Sequence, residues 1–297
     1  MKNVLRNFLC ASVFILSAFA TANAQNDDGK IRVIMFGAHP DDCDQGGGGT
    51  AILFSQMGYA VKFVSVTNGD AGHQTMKGKE LAQRRYKEAQ EAGKRFGVMY
   101  DVLDNHDGML MPSLDVRLEI IKEIREWNAD VVIAPRPNDY HPDHRYTGVL
   151  VQDASYMVAV PDILPNVPAL KKNPVFLYYR DRFQRPNPFQ PDITVDITNV
   201  FDKKIYALDA HTSQMYEWLP WIGHYLDEIP SGKEDRIKWL TKHETESITP
   251  EMRASLEKWY GKDKAAQVQQ AEAFEITEYG AQPTDDDIKR LFPMLGK

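Results

Sequence analysis

Two short stretches of the chain concentrate side chains that can hold a metal and move a proton. Gly37-Ala38-His39-Pro40-Asp41-Asp42 sets a histidine and two adjacent carboxylates around a rigid proline, and Asp139-Tyr140-His141-Pro142-Asp143-His144 sets two histidines and two carboxylates around another. A tetrahedral catalytic zinc takes three protein ligands of His or carboxylate type and keeps one position for water. His39, Asp42 and His144 supply such a set. The count leaves Asp41 and His141 unligated beside the metal, where one can accept a proton and the other can donate a hydrogen bond to developing charge. Asp143 is then available to orient the His141 ring. The competing readings are blander: Asp41 or Asp42 as a helix cap, and the second stretch as a surface loop of solvated histidines.

Both stretches follow short apolar runs, Ile31 to Phe36 and Val131 to Ala134, which read as buried strands. In open α/β sheets, ligands bind at the carboxyl ends of strands. The surrounding pattern alternates such runs with longer amphipathic stretches, the rhythm of a parallel sheet. It predicts helices over 47–57, over 79–96 with Gly97 as the stop, and over 113–127 with Ser113 as the cap. Further strands are predicted at 61–67, 98–103, 175–179 and 193–197. The proline-dense region from Pro161 to Pro191 reads as loop around the 175–179 strand. A helix is expected from Val200 to about Leu219, interrupted by Pro220. Beyond it, the polar residues of about 220–297 read as a helical C-terminal extension without a core of its own.

The chain has 297 residues and a formal charge of −7, from 35 Lys+Arg against 42 Asp+Glu. An acidic protein has no general attraction for nucleic acid or anionic lipid, so nucleic-acid partners and stable membrane insertion are not expected. Cys10 and Cys43 are the only cysteines and form no CxxC pair, which leaves any metal to His and carboxylate ligands. Residues 1–24 read as a secretory signal: Lys2 and Arg6, an apolar run from Phe8 to Ala20, and Ala22-Asn23-Ala24 before Gln25. The expected mature protein is then a single exported domain over 25–297, periplasmic or extracellular. Loss of Lys2 and Arg6 takes its charge from −7 to −9, and Cys43 is its one thiol.

The motifs, in their order, resemble the PIG-L/LmbE-like family of zinc-dependent N-deacetylases. The resemblance rests on AHPDD at Ala38–Asp42 with GGGGT at Gly46–Thr50, and on VTNGDAG at Val66–Gly72. RYKEA at Arg85–Ala89 with Phe96-Gly97-Val98, DYHPDH at Asp139–His144 and KIYALDAHTSQ at Lys204–Gln214 complete it. It implies a Rossmann-like, mostly parallel sheet flanked by helices and hydrolysis of an N-acetyl group from an amino sugar. It also implies zinc at His39, Asp42 and His144, Asp41 as general base and His141 as its electrostatic partner. Arg85 and Asp107 match positions that contact sugar hydroxyls, with a surface ion pair as the alternative. His211 reads either as a residue rimming the site or as a hydrogen-bonded core histidine. Cys43 departs from the family, where many members carry Glu, and reads as a small buried residue.

The four glycines Gly46–Gly49 lack a following GK[ST] and so do not read as a phosphate loop. They fit close packing of a helix start under the metal site. His73 and His106 read as solvated loop histidines, and Trp218, Trp221 and Tyr225 as a helix core face. Two other functions remain open on the sequence: a metal-dependent phosphoesterase, and a secreted glycan-binding protein whose zinc is structural. Homo-oligomerisation is also left open.

Overall fold

A computed structural model describes residues 29–296; the leader expected over 1–24 lies outside them. The chain runs β1 (Arg32–Gly37), α1 (Asp42–Gln56), β2 (Ala60–Thr67), α2 (Gly78–Phe96), β3 (Met99–Asn105), α3 (Leu114–Trp127), β4 (Val131–Ala134) and α4 (Pro142–Met157). There follow β5 (Val175–Tyr179), β6 (Ile193–Asp196), α5 (Phe201–Leu208), α6 (Leu219–Ile222), α7 (Lys233–Glu244), α8 (Pro250–Tyr260), α9 (Lys262–Ala265), β7 (Ala271–Gly280) and α10 (Asp285–Leu291). One seven-stranded sheet results, in the order β3-β2-β1-β4-β5-β7-β6. The first five strands are parallel, and β7 is antiparallel to both of its neighbours.

The strand order explains why the apolar runs are unbroken. On β1, Val33 and Met35 face one core while Ile34 and Phe36 face the other, because successive side chains point to opposite faces and both faces are covered. Each such fully buried side chain contributes roughly 1.5–3 kcal/mol. The expected helix ends are present: the Ser113 side chain accepts the Val116 N–H, and Gly97 closes α2 in the left-handed region at φ 76°. At Gly48 a Cβ would come within 2.6 Å of the Phe96 ring, and at Gly49 within 2.9 Å of Ile197. The glycine run therefore lets α1 lie against its neighbours, as its sequence indicated.

Three features depart from the sequence reading. A helix, α4, begins inside the second chemical stretch, with His141 as its N-cap and Pro142 at its first position. The C-terminal region is helical but also contributes β7, which enters the sheet between β5 and β6. It does have a core role, since Phe274, Leu291 and Phe292 are buried in the main cluster. Finally, the expected 200–219 helix is split: α5 stops at Leu208, a π-helical stretch over Gln214–Trp218 leads directly into α6, and Pro220 sits inside that continuous helical segment just after the π-turn rather than ending it.

Candidate active site

The sheet order reverses between β1 and β4, and their carboxyl ends open the crevice where an α/β fold binds ligands. His39, Asp41 and Asp42 leave β1 there, and Asp139, His141 and His144 follow β4. Neither aspartate caps α1: the Asp41 side chain makes no capping bond, and Asp42 Oδ2 accepts the Ala38 and His39 N–H groups at 2.7 and 2.8 Å. That pair of bonds turns the chain back on itself and fixes the Asp42 carboxylate beside His39.

Three ligand atoms meet at this point. His144 Nε2 lies 3.2 Å from His39 Nδ1, and Asp42 Oδ2 lies 3.6 Å from His39 Nδ1 and 3.5 Å from His144 Nε2. Ligands about 2.0–2.2 Å from a tetrahedral zinc stand about 3.3–3.6 Å apart, so the triangle has the size of one face of such a site. The far side of each ring faces a carboxylate, as in metal-ligating histidines. His39 Nε2 lies 3.3 Å from Asp107 Oδ1 and 3.4 Å from Asp143 Oδ2, and His144 Nδ1 lies 3.1 Å from Asp139 Oδ1. Burial works against a proton on His39, but Asp107, Asp143 and Asp42 together raise its pKa well above the ordinary value. The surroundings favour positive charge. Burial works against the Asp42 anion too, yet His144 and His39 hold its pKa below the usual carboxylate range.

Two other groupings share His39, one with His141 and His144 and one with Asp107 and Asp143. The latter fits a cation less well. Asp143 accepts the Gly108 and Leu110 N–H groups and is fully buried, and Asp107 Oδ2 accepts the Gly72 N–H. Their oxygens are already engaged behind the His39 ring. His39, Asp41, Asp42 and His144 instead line a cavity of about 410 Å³, within the usual range for small-molecule sites.

Asp41 is buried at its floor, with Oδ1 accepting from Arg85 Nη2 at 3.1 Å. Burial raises its pKa, and the Arg85 charge opposes the rise without cancelling it. Arg85 is 2% exposed, which excludes the surface ion pair considered for it, and it also lies 3.5 Å from Asp107 Oδ2. It lines the cavity but spends its guanidinium on Asp41, Asp107 and the Gly69 carbonyl. Asp107 likewise lines the cavity while serving His39 and Gly72; burial alone would raise its pKa, but His39 and Arg85 hold it at about 2.

His141 stands beside the triangle, its ring 4.7 Å from that of His39 and 5.1 Å from that of His144, and does not line the cavity. Its expected link to Asp143 is inverted: the Asp143 backbone N–H donates to His141 Nδ1 at 3.2 Å, while the Asp143 carboxylate serves His39. Neutral His141 therefore carries its proton on Nε2. Burial, with the His39 and His144 charges, lowers its pKa.

His211 does not rim the site. It is fully buried, and its Nε2 meets Asp44 Oδ1 at 2.8 Å, while Tyr100 donates its hydroxyl to Asp44 Oδ2. His73 is buried against Glu217 at 2.8 Å rather than solvated, whereas His106 is exposed beside Asp70. Trp218 and Trp221 form a partly exposed stack instead of a core face, and Tyr225 stacks on His243. Cys43 is buried with its thiol toward the Met35 carbonyl, as a small core residue.

Several residues of the site carried no assigned role in the sequence. Asp139 orients His144 while accepting the His141 N–H at 2.9 Å. Arg136 forms a two-point ion pair with Asp181, at 2.5 and 2.6 Å, across the outer cavity wall. Tyr140, Tyr179 and Phe183 supply flat apolar surface there. Asp139 had a visible signal, a carboxylate just before a Pro-started helix whose first turn carries His144.

An α/β sheet with a His-Asp-His triangle at its switch point and a buried spare carboxylate beside it defines a hydrolase-type metal site. Residues 34–155 match the family model described as PIG-L: GlcNAc-PI de-N-acetylase. The chain is 32% identical over 207 residues to diacetylchitobiose deacetylase of Thermococcus kodakarensis, covering 64% of this chain and 74% of that protein. It also resembles the structure of N,N'-diacetylchitobiose deacetylase from Pyrococcus horikoshii, with TM-score 0.62, 26% identity, and coverage of 82% of this chain and 83% of that one. A more distant similarity, 23% identity covering 62% of this chain and 74% of the other, is to a Pseudomonas putida 4-oxalmesaconate hydratase. The chain belongs to the PIG-L/LmbE-like family of deacetylases. Among the described residues no helix is long and apolar enough to cross a membrane.

Proposed function

We propose that this protein is an exported, zinc-dependent hydrolase that removes an N-acetyl group from an amino sugar or N-acetylated glycan. The observation that carries the reading is the His39–Asp42–His144 triangle of 3.2 to 3.6 Å on the wall of a cavity that also holds Asp41. Zinc bound there would supply Lewis acidity toward water and the amide carbonyl. Asp41 accepts the proton of the attacking water, and its burial makes it a stronger base than an exposed carboxylate. Arg85 keeps that carboxylate pointed at the cavity. His141, although off the cavity wall, has a ring nitrogen within 4.8 Å of ring nitrogens of His39 and His144, and from there would donate its Nε2–H to the developing oxyanion as a neutral imidazole, because its lowered pKa disfavours the cation. Asp41 then returns its proton to the departing amine.

A structural zinc would fill its fourth position with protein; His141 also stands near the triangle, but the triangle itself lines an open cavity that can admit water and substrate. A two-metal phosphoesterase would need a bridging carboxylate, and both Asp143 oxygens and Asp107 Oδ2 are taken by backbone N–H groups while Asp107 Oδ1 faces His39 Nε2. The guanidiniums of the outer cavity wall are matched in number, Arg136 pairing with Asp181 and with Glu275 at 3.8 Å while Arg180 and Arg182 share Glu246, which supports a neutral sugar as substrate.

The test is acetate release from N-acetylglucosamine and diacetylchitobiose by the purified mature protein. Release that depends on zinc supports the reading, and its absence from both sugars and from longer N-acetylchitooligosaccharides defeats it. Export and the single mature domain over 25–297 are checked by the intact mass of protein recovered outside the cytoplasm: Gln25 at the N-terminus is expected, and a retained Met1 contradicts export.

A further inference from the structure

The segment Arg180-Asp181-Arg182 forms the outer wall of the active-site cavity and also a wall of a second cavity, of about 860 Å³. The rest of the second cavity comes from the 184–192 loop and from one face of α8. We infer that this groove is an outer subsite that holds sugar residues linked to the one being deacetylated, so that the substrate is a glycan chain rather than a free monosaccharide. The inference rests on the deacetylase reading above and adds the substrate class to it.

Three observations carry it. The two cavities share residues 180–182, so a chain leaving the metal site along this wall passes into the second groove. The groove lining is mixed: Phe189, Pro191 and Met252 offer apolar surface, while Gln184, Gln190 and Lys258 offer polar ends. A pyranose has the same division, with C–H faces and a hydroxyl edge, and binding sites combine apolar walls with a few placed polar groups. The shared ridge is also pinned, and with Arg136 beside it three guanidiniums face three carboxylates, Asp181, Glu246 and Glu275. Arg180 and Arg182 each donate to one oxygen of Glu246, at 2.5 and 2.6 Å, from the loop between α7 and α8. A neutral chain can cross such a ridge without leaving an unpaired charge. The groove is built wholly from residues beyond the 34–155 family match.

Binding energy from parts of a substrate remote from the reacting bond can be spent at the reacting centre. The probes are N-acetylchitooligosaccharides of one to five residues, with acetate release measured for each on the full-length mature protein. One or two added hydrogen bonds in the groove are expected to raise kcat/KM about tenfold from monomer to trimer. Ala254 is exposed on α8 and lines only the second groove. Ala254→Trp fills it and is expected to bring the trimer rate down to the monomer rate while leaving the monomer rate unchanged. Ala254→Ser, which leaves the groove open, retains the chain-length gain. Equal kcat/KM at every length, or an Ala254→Trp loss that is the same for monomer and trimer, overturns the outer subsite while the deacetylase reading stands. Absence of acetate release at every length overturns both.

Discussion

Asp41→Asn removes one charge from a buried pair and keeps its shape. Arg85 Nη2 lies 3.1 Å from Asp41 Oδ1, and an asparagine oxygen in that place still accepts the bond. The guanidinium also retains Asp107 at 3.5 Å and the Gly69 carbonyl at 3.4 Å. Outright loss of a buried partner costs about 3–5 kcal/mol. Exchanging a charged acceptor for a neutral one costs only about 1–1.5 kcal/mol, the difference between typical charged and neutral hydrogen bonds. In a chain of this size that lowers Tm by roughly 2–6 °C. The metal triangle contains no atom of Asp41, so zinc is retained. Turnover falls about 10²–10⁴-fold, the usual contribution of a general base. Asp41 must be deprotonated to accept the proton, so the wild-type acidic limb reports its titration, and in Asp41→Asn that limb disappears. Zinc content, thermal unfolding and acetate release against pH on one preparation provide the assay. Near wild-type turnover, or loss of zinc with turnover, would refute the assignment of Asp41 to proton transfer.

Asp139→Asn weakens the carboxylate that orients His144, so zinc affinity measured by competition with a chelator should fall about 10–100-fold; unchanged affinity would remove that role. Arg85→Met leaves Asp41 and Asp107 as uncompensated buried carboxylates and should cost about 3–5 kcal/mol in denaturant unfolding. Because Arg85 lowers the Asp41 pKa, any residual activity should show its acidic limb at higher pH, and a limb at lower pH would contradict the pairing. In the metal-free protein, Asp107 held at about 2 stabilises the fold above the unfolded carboxylate pKa, and that stability is lost as pH falls toward 2. Asp107→Asn should therefore remove on the order of 2 kcal/mol of acid-dependent stability between about pH 4 and 2; an unchanged pH slope would count against it.

The parallel half of the sheet was legible because β1, β2, β4 and β5 are buried on both faces and so read as apolar runs, and its helices end at visible signals such as Ser113 and Gly97. The metal triangle was legible because His39 and Asp42 share one turn and His144 follows the strand beside them in the sheet. What stayed hidden depends on distant compensation. In β7, Glu272 is buried, which breaks an apolar pattern; its carboxylate is satisfied by Lys204 and by the Gly49 and Thr50 N–H groups, all far away in sequence. Arg85 sits on a charged, amphipathic helix like any surface arginine, and only the fold brings Asp41 to it across 44 positions. His211 is buried for the same reason, its partner Asp44 lying 167 positions away. The inverted roles of His141 and Asp143 arise from the start of α4, where a cap geometry decides which atom of each residue is free.

Zinc titration into the metal-free protein, with acetate release from diacetylchitobiose recorded at each addition, tests the central claim most directly. The His39–Asp42–His144 site predicts that activity is absent without metal, rises in proportion to added zinc and saturates at one equivalent per chain, and that Asp42→Asn shifts the curve to higher zinc. Acetate release from the metal-free protein, or a requirement for two equivalents per chain, would contradict it.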